Sequence, residues 1–159
     1  MKTILIAADH AGFELKAELI PFLRDLGFEV KDFGAYEFNA EDDYPDFCMP
    51  LAQEVSASNG KQMGIVIGGS GQGEAICCNR FAYVRAMVFN GQYKREDGSH
   101  VPHEITTARE HNDANILSLG ARFLSEQDAK DAVEVWLSTA FSGEERHIRR
   151  LEKIESFEK

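Results

Sequence analysis

Residues 63–67, Met-Gly-Ile-Val-Ile, form an apolar run with no polar alternation, and the seven residues after them hold four glycines: Gly68-Gly69-Ser70-Gly71-Gln72-Gly73-Glu74. A short continuous apolar run reads as a strand buried on both faces. The turn then enters Ala75-Ile76-Cys77-Cys78, which reads as the start of a helix. A glycine-rich turn between strand and helix leaves backbone N–H groups unpaired and pointing the same way, which builds a seat for an anion. Glu74 is out of place in such a seat. It is either a cap, or a base whose enolate product the neighbouring N–H groups stabilise.

The rest of the chain alternates strand and helix around this centre. Residues 3–8 are an apolar β run. Residues 12–26 carry Phe13, Leu15, Leu19, Ile20, Leu23 and Leu26 at helical spacing, with Gly27 as the stop and Pro21 inside as a kink. Strands are predicted at 28–33, 84–88 and 116–119. Helices are predicted at 47–57, with Pro50 in the first turn, at 106–111, from 125 with Ser125 and Asp128 as a capping pair, and over 144–156. Residues 90–102 read as an exposed polar loop. This alternation implies one α/β domain spanning residues 1–159, with a parallel sheet and helices on both faces. Ligands of such sheets bind at the carboxyl ends of the strands. Asp9-His10 and the glycine turn, each following a strand, are expected at that same edge.

A formal net charge of −10 argues against nucleic acid or an anionic membrane as partner, and leaves room for a small anion held by local arginines. No apolar run approaches the roughly 20 residues that a membrane span needs, and the start, up to Asp9, is too short in its apolar part for a secretory signal. Three cysteines, two of them the adjacent Cys77 and Cys78, do not form a disulfide framework, so a reducing cytoplasm is expected. The five histidines show no zinc-type spacing with the cysteines, so no metal is expected.

The glycine turn fails as a dinucleotide fingerprint, because Glu74 stands where glycine or alanine is required. It lacks the P-loop lysine, and Gln72 breaks a nucleophile elbow. A generic phosphate or oxyanion loop remains, beside the simpler reading of a tight structural turn. Asp9-His10 is either a cap with a surface histidine or a proton-transfer pair. His111-Asn112-Asp113-Ala114-Asn115 is either a polar turn or a histidine acid with an asparagine donor. Arg146 and Arg150 stand one helical turn apart, either as a solvated basic face or as a bidentate phosphate grip.

Taken together, Asp9-His10-Ala11-Gly12-Phe13-Glu14-Leu15-Lys16, Asp43-Tyr44-Pro45-Asp46, the 68–74 turn, Arg109-Glu110-His111-Asn112-Asp113-Ala114-Asn115 and Arg146-His147-Ile148-Arg149-Arg150 resemble the ribose-5-phosphate isomerase B family, which includes galactose-6-phosphate isomerase subunits. The resemblance runs over nearly the whole chain. It implies a three-layer Rossmann-like fold, a homodimer or dimer of dimers with active sites built from both subunits, a C-terminal helix contributing to the dimer, and no metal or organic cofactor. Some members place a catalytic cysteine where this chain has Gly68; others use a glutamate that Glu74 matches. Residues 89–104 are longer than the family counterpart, and Arg80-Phe81-Ala82-Tyr83 replaces a commoner lysine-valine-proline-glycine turn.

The reaction so implied is aldose–ketose isomerisation of a phosphorylated sugar through a cis-enediolate, with ribose 5-phosphate the default and a hexose 6-phosphate or tetrose 4-phosphate the alternatives. Glu74 is the base; Asp9 and His111 assist ring opening. On this reading the Ser70 hydroxyl and the N–H groups of Gly71, Gln72 and Gly73 are expected to hold the oxyanion, with Gly69 among the substrate-binding residues. His10, Arg146 and Arg150 hold the phosphate; Asn112, Tyr44 and Arg122 complete the site. A non-catalytic sugar-phosphate sensor and a nucleotide-binding domain are the rival classes.

Overall fold

The computed structural model describes residues 2–157. Residues 1, 158 and 159, the outer bounds of the expected domain, lie outside the described residues. Five strands, β1 (Thr3–Ala8), β2 (Glu29–Asp32), β3 (Met63–Gly68), β4 (Ala86–Phe89) and β5 (Ile116–Gly120), form one sheet in the order β2-β1-β3-β5-β4, and every pairing is parallel. Six helices join and flank them: α1 (Phe13–Asp25), α2 (Pro45–Ala57), α3 (Gln72–Cys78), α4 (Glu104–Asn112), α5 (Glu126–Ser138) and α6 (Glu145–Glu155). The three-layer architecture read from the sequence is the one observed.

The central strands are apolar throughout because both of their faces are covered. Ile4, Ile6 and Ala8 of β1 pack with Ile65 and Ile67 of β3 on one face, beneath Leu19 and Leu23 of α1 and Ala129, Val133 and Trp136 of α5. Leu5, Ala7 and Val66 face the other way, onto Cys48, Leu51, Ala52 and Val55 of α2 and Cys78 of α3. Each fully buried leucine or isoleucine contributes about 1.5–3 kcal/mol. Among the described residues no helix is long and apolar enough to cross a membrane.

Several boundaries differ from those predicted. Helix α2 begins two residues early, at Pro45, whose missing N–H suits a first helical position. Pro50 therefore lies inside the helix, not in its first turn. Helix α4 starts at Glu104 because the His103 ring accepts the Thr106 N–H as an N-cap, and strand β4 is shifted to 86–89. The capping pair of α5 is present as expected: Ser125 Oγ accepts the Asp128 N–H at 3.1 Å, and Asp128 accepts the Ser125 N–H in return.

The order of the strands positions the site. From β1 the chain moves outward to β2, then crosses back over β1 to β3, so the sheet changes its direction of winding between β1 and β3. A crevice opens outside the carboxyl ends of two strands where winding reverses. The residues that follow β1 are Asp9 and His10; the residues that follow β3 are the glycine turn.

Candidate active site

The carboxyl ends of β1, β3 and β5 converge on a cavity of about 500 Å³. Its floor is the glycine turn, and the turn is held from behind. Four consecutive carbonyls are tied down: Gly68 by the Ala121 N–H at 2.8 Å, Gly69 by the Arg122 N–H at 3.1 Å, Ser70 by the Asn90 amide at 3.0 Å and Gly71 by the buried Ser118 hydroxyl at 2.6 Å. A trans peptide whose carbonyl is turned one way presents its N–H the other way. Gly71, at φ +73°, caps α3 in the left-handed conformation that lets the chain turn from strand to helix.

Glu74 is the third residue of α3 and is 4% exposed. Its carboxylate folds back over the end of β3 and fills the space where a side chain at Gly68 would begin. A Cβ on Gly68 would lie 2.7 Å from Oε2 and closer still to Cδ and Oε1. Burial pushes the Glu74 pKa up, the Asp9 charge adds to the rise, and its own backbone N–H opposes it. A carboxyl raised in this way holds its proton more readily than an exposed glutamate does.

The cavity walls come from segments far apart in sequence. Asp9 is buried; its Oδ1 accepts the N–H groups of Ala11 at 2.9 Å and Gly12 at 3.2 Å, so it caps the turn into α1 while also lining the cavity. Tyr44 lies against Gly73, where an added Cβ would meet its hydroxyl at 3.0 Å. The Arg122 guanidinium lies over Gly69, with Cζ 3.2 Å from the position of a Cβ there. His10, Ser70 and the exposed Phe123 complete the lining.

Ten of the residues read from the sequence thus meet at or beside one cavity: Asp9, His10, Tyr44, Gly69, Ser70, Gly71, Gln72, Gly73, Glu74 and Arg122. The other four do not. His111 and Asn112 end α4, which runs back from the carboxyl end of β4, and so they sit at the amino edge of the sheet, just ahead of β5. The two edges are separated by the length of β3, roughly 16 Å for five steps of about 3.3 Å. Arg109 and Arg85 fix that far turn by pairing with the two Asp113 oxygens, each at 2.9 Å, and Arg109 also donates to the Ala114 carbonyl at 2.7 Å. Asn115 donates to the carbonyls of Gly60 and Tyr83. Arg109, Asp113 and Asn115 therefore serve as scaffold, and His111 and Asn112 are what the scaffold presents.

Helix α6 lies alongside. The His147 ring stacks on His111 with centroids 4.3 Å apart and planes 11° from parallel. His147 is 2% exposed, and burial, with the neighbouring His111 and Arg146, pushes its pKa down. Arg146 and Arg150 project on the exposed side of α6, Arg146 with its Nε 2.8 Å from Glu144. The basic face expected to be solvated and the arrangement expected to grip phosphate are the same surface.

Sequence reasoning missed three residues that shape the cavity. Ser118 carried a signal, as the lone hydroxyl in a strand buried on both faces, where it needs a partner. Asn90 and Asp42 carried none. Asp42 stands in an acidic run with Glu41 and Asp43, and only the fold selects it, by placing its carboxylate on His10.

The sequence profile of the family described as ribose/galactose isomerase matches residues 4–154. Ribose-5-phosphate isomerase B of Mycobacterium tuberculosis is 36% identical over 157 residues, covering 98% of this chain and 90% of its own. The Escherichia coli protein of that name is 35% identical over 158 residues, covering 99% and 97%. Among solved structures, ribose-5-phosphate isomerase B of Mycoplasma genitalium, with ribulose 5-phosphate bound, superposes with a TM-score of 0.87 at 35% identity, over 98% of this chain and 95% of that one. The Clostridium thermocellum enzyme superposes with a TM-score of 0.85 at 40% identity, over 98% and 97%. Sequence and fold agree over nearly all of the chain, and the chain belongs to the ribose/galactose isomerase family.

Proposed function

We propose that this chain interconverts ribose 5-phosphate and ribulose 5-phosphate by proton transfer through a cis-enediolate. The observation that carries the reading is the Glu74 carboxylate, buried and raised in pKa, seated on the glycine turn in place of a side chain at Gly68. Glu74 takes the proton from C2 and returns it to C1, while the hydroxyl proton passes from O2 to O1; a carboxylate on one face of a planar cis-enediolate reaches both carbons. The Ser70 hydroxyl and the N–H groups of Gly71 to Gly73 stabilise the developing oxyanion, each such donor being worth about 3 kcal/mol. Asp9 assists ring opening, Tyr44 positions a hydroxyl, and Arg122 faces the substrate across Gly69. Proton transfer between adjacent carbons is redox-neutral overall, so the step requires no electron carrier.

The remaining roles fall to His111 as the ring-opening acid, Asn112 as a hydroxyl donor, and Arg146 and Arg150 as the phosphate grip. These four stand at the far edge of the same chain's sheet, too distant to reach its own cavity. A second copy supplies them, and the working unit is a homodimer or a dimer of dimers with shared sites. The exposed apolar side of α6, Ile148 and Ile154, supports this helix as part of the contact. The three free cysteines, two of them buried, fit a cytoplasmic setting.

Proton NMR in deuterated water tests the reaction. Ribose 5-phosphate is expected to give ribulose 5-phosphate carrying deuterium at C1, with hexose 6-phosphates and tetrose 4-phosphates run beside it to define chain length. Absence of turnover and exchange with every phosphorylated sugar, from folded protein, would overturn the proposal in favour of a sugar-phosphate sensor.

A further inference from the structure

His10 stands on the cavity wall immediately after β1, and its ring is held from one side. Nδ1 lies 2.7 Å from Oδ1 of Asp42, and the same oxygen accepts the His10 backbone N–H at 3.0 Å. Asp42 belongs to the segment between β2 and α2, 32 residues away in sequence. Its side chain is 7% exposed, and its second oxygen, Oδ2, is buried without a hydrogen-bond partner among the described residues. A carboxylate so enclosed needs a cation. The His10 ring is the only ion-pair partner that Asp42 has among the described residues.

We propose that Asp42 is a positioning residue: it grips Nδ1 of His10, fixes the ring so that Nε2 is the nitrogen left for the cavity, and keeps that nitrogen a charged donor to the anionic end of the substrate. This rests on the reading of the cavity as a sugar-phosphate site. With Nδ1–H given to a carboxylate, a neutral ring could offer only an acceptor at Nε2, which repels an anion. A protonated ring offers a charge-assisted N–H instead. The groups facing His10 decide between the two. The hydrogen bond that the ring donates to Asp42 raises the pKa of His10 most, and the charges of Asp9 and Asp42 raise it further; desolvation and Arg122 oppose them, and the balance is upward. The imidazolium therefore persists above the ordinary histidine value of about 6.5.

Asp42→Asn tests the assignment, because the amide oxygen can still accept the His10 backbone N–H while the charge is gone. The His10 ring is titrated by NMR in wild type and variant, its signal assigned from His10→Gln. In parallel, kcat and KM for ribose 5-phosphate are measured from pH 5.5 to 9. The His10 midpoint is expected to fall in Asp42→Asn. KM is expected to rise about three- to ten-fold between the two midpoints, the loss of one charge-assisted hydrogen bond, with kcat within about two-fold. The difference should shrink as pH falls below the ordinary histidine value of about 6.5 and the variant ring gains its proton; the phosphate's own titration is common to both proteins. An unmoved His10 midpoint, or a loss of kcat equal at every pH, overturns the proposal. A wild-type protein that turns over no phosphorylated sugar would sink the functional reading instead, and the NMR titration would still decide whether Asp42 sets the state of His10.

Discussion

Gly68→Ala makes the most exacting test of how the proposed base, Glu74, is seated. The added methyl would fall 2.7 Å from Oε2 of Glu74 and nearer to Cδ and Oε1, against an ordinary contact of 3.4 Å or more. The end of β3 cannot yield, since Gly68 pairs with Gly120 and its carbonyl is held by Ala121. The carboxylate must therefore move, and by more than 1 Å. A displacement of about 1 Å at the reacting group costs about 100-fold in rate, or ~2.7 kcal/mol of barrier. Overpacking of this kind also costs about 1–3 kcal/mol of stability. Gly68 is not among the glycines at positive φ, so its backbone conformation adds no penalty of its own. Steady-state kinetics with ribose 5-phosphate should show kcat/KM down by about two orders of magnitude. Heat denaturation across a double-mutant cycle with Glu74→Ala gives the second reading. Once the carboxylate is gone the methyl has room, so Gly68→Ala should cost much less stability in that background. A kcat/KM within two-fold of wild type, or stability effects that simply add, would refute the reasoning.

Four further outcomes are expected. Glu74→Gln should lower kcat by about 10²–10⁴-fold, the worth of a general base. The same change should raise the Tm at pH 8: with a folded pKa above its unfolded value, Glu74 contributes stability only at low pH and loses it as pH rises through the folded value, so the advantage of Gln should close below about pH 4.3. Ser118→Ala removes a buried hydroxyl from the Gly71 carbonyl and should cost about 1 kcal/mol, or ~2–4 °C in Tm, with a fall in kcat as the turn loosens; unchanged kcat would mean that the other three tethers suffice. Finally, Glu74→Gln and Arg146→Ala/Arg150→Ala chains, each inactive alone, should regain about one quarter of wild-type activity when unfolded and refolded together, since half the dimers are mixed and each of those holds one intact site; no recovery would place all the groups within one chain.

The sheet, its parallel sense and the edge carrying the cavity were legible because a both-face apolar strand followed by glycines admits few alternatives, and Glu74 announced itself as an acid where an anion belongs. The start of α2 was less legible, because Pro45 and Pro50 both suit a first helical turn and only packing chooses. The separation of His111 from Glu74 could have been read. A residue just before a parallel strand lies at the amino edge, and one just after lies at the carboxyl edge. Asp42 could not, because its meaning lies in a contact made across 32 residues.

Helix α6 is tied to its own chain by the stacked His111–His147 rings and by the Arg85–Glu155 pair, while Ile148 and Ile154 remain substantially exposed. The phosphate grip proposed for Arg146 and Arg150 would be aligned by whatever covers that apolar side. If the cover is another copy, the number of complete sites follows mass action. Specific activity should then fall on dilution toward the dissociation constant of the assembly, and recover when inactive chains with intact α6 helices are added.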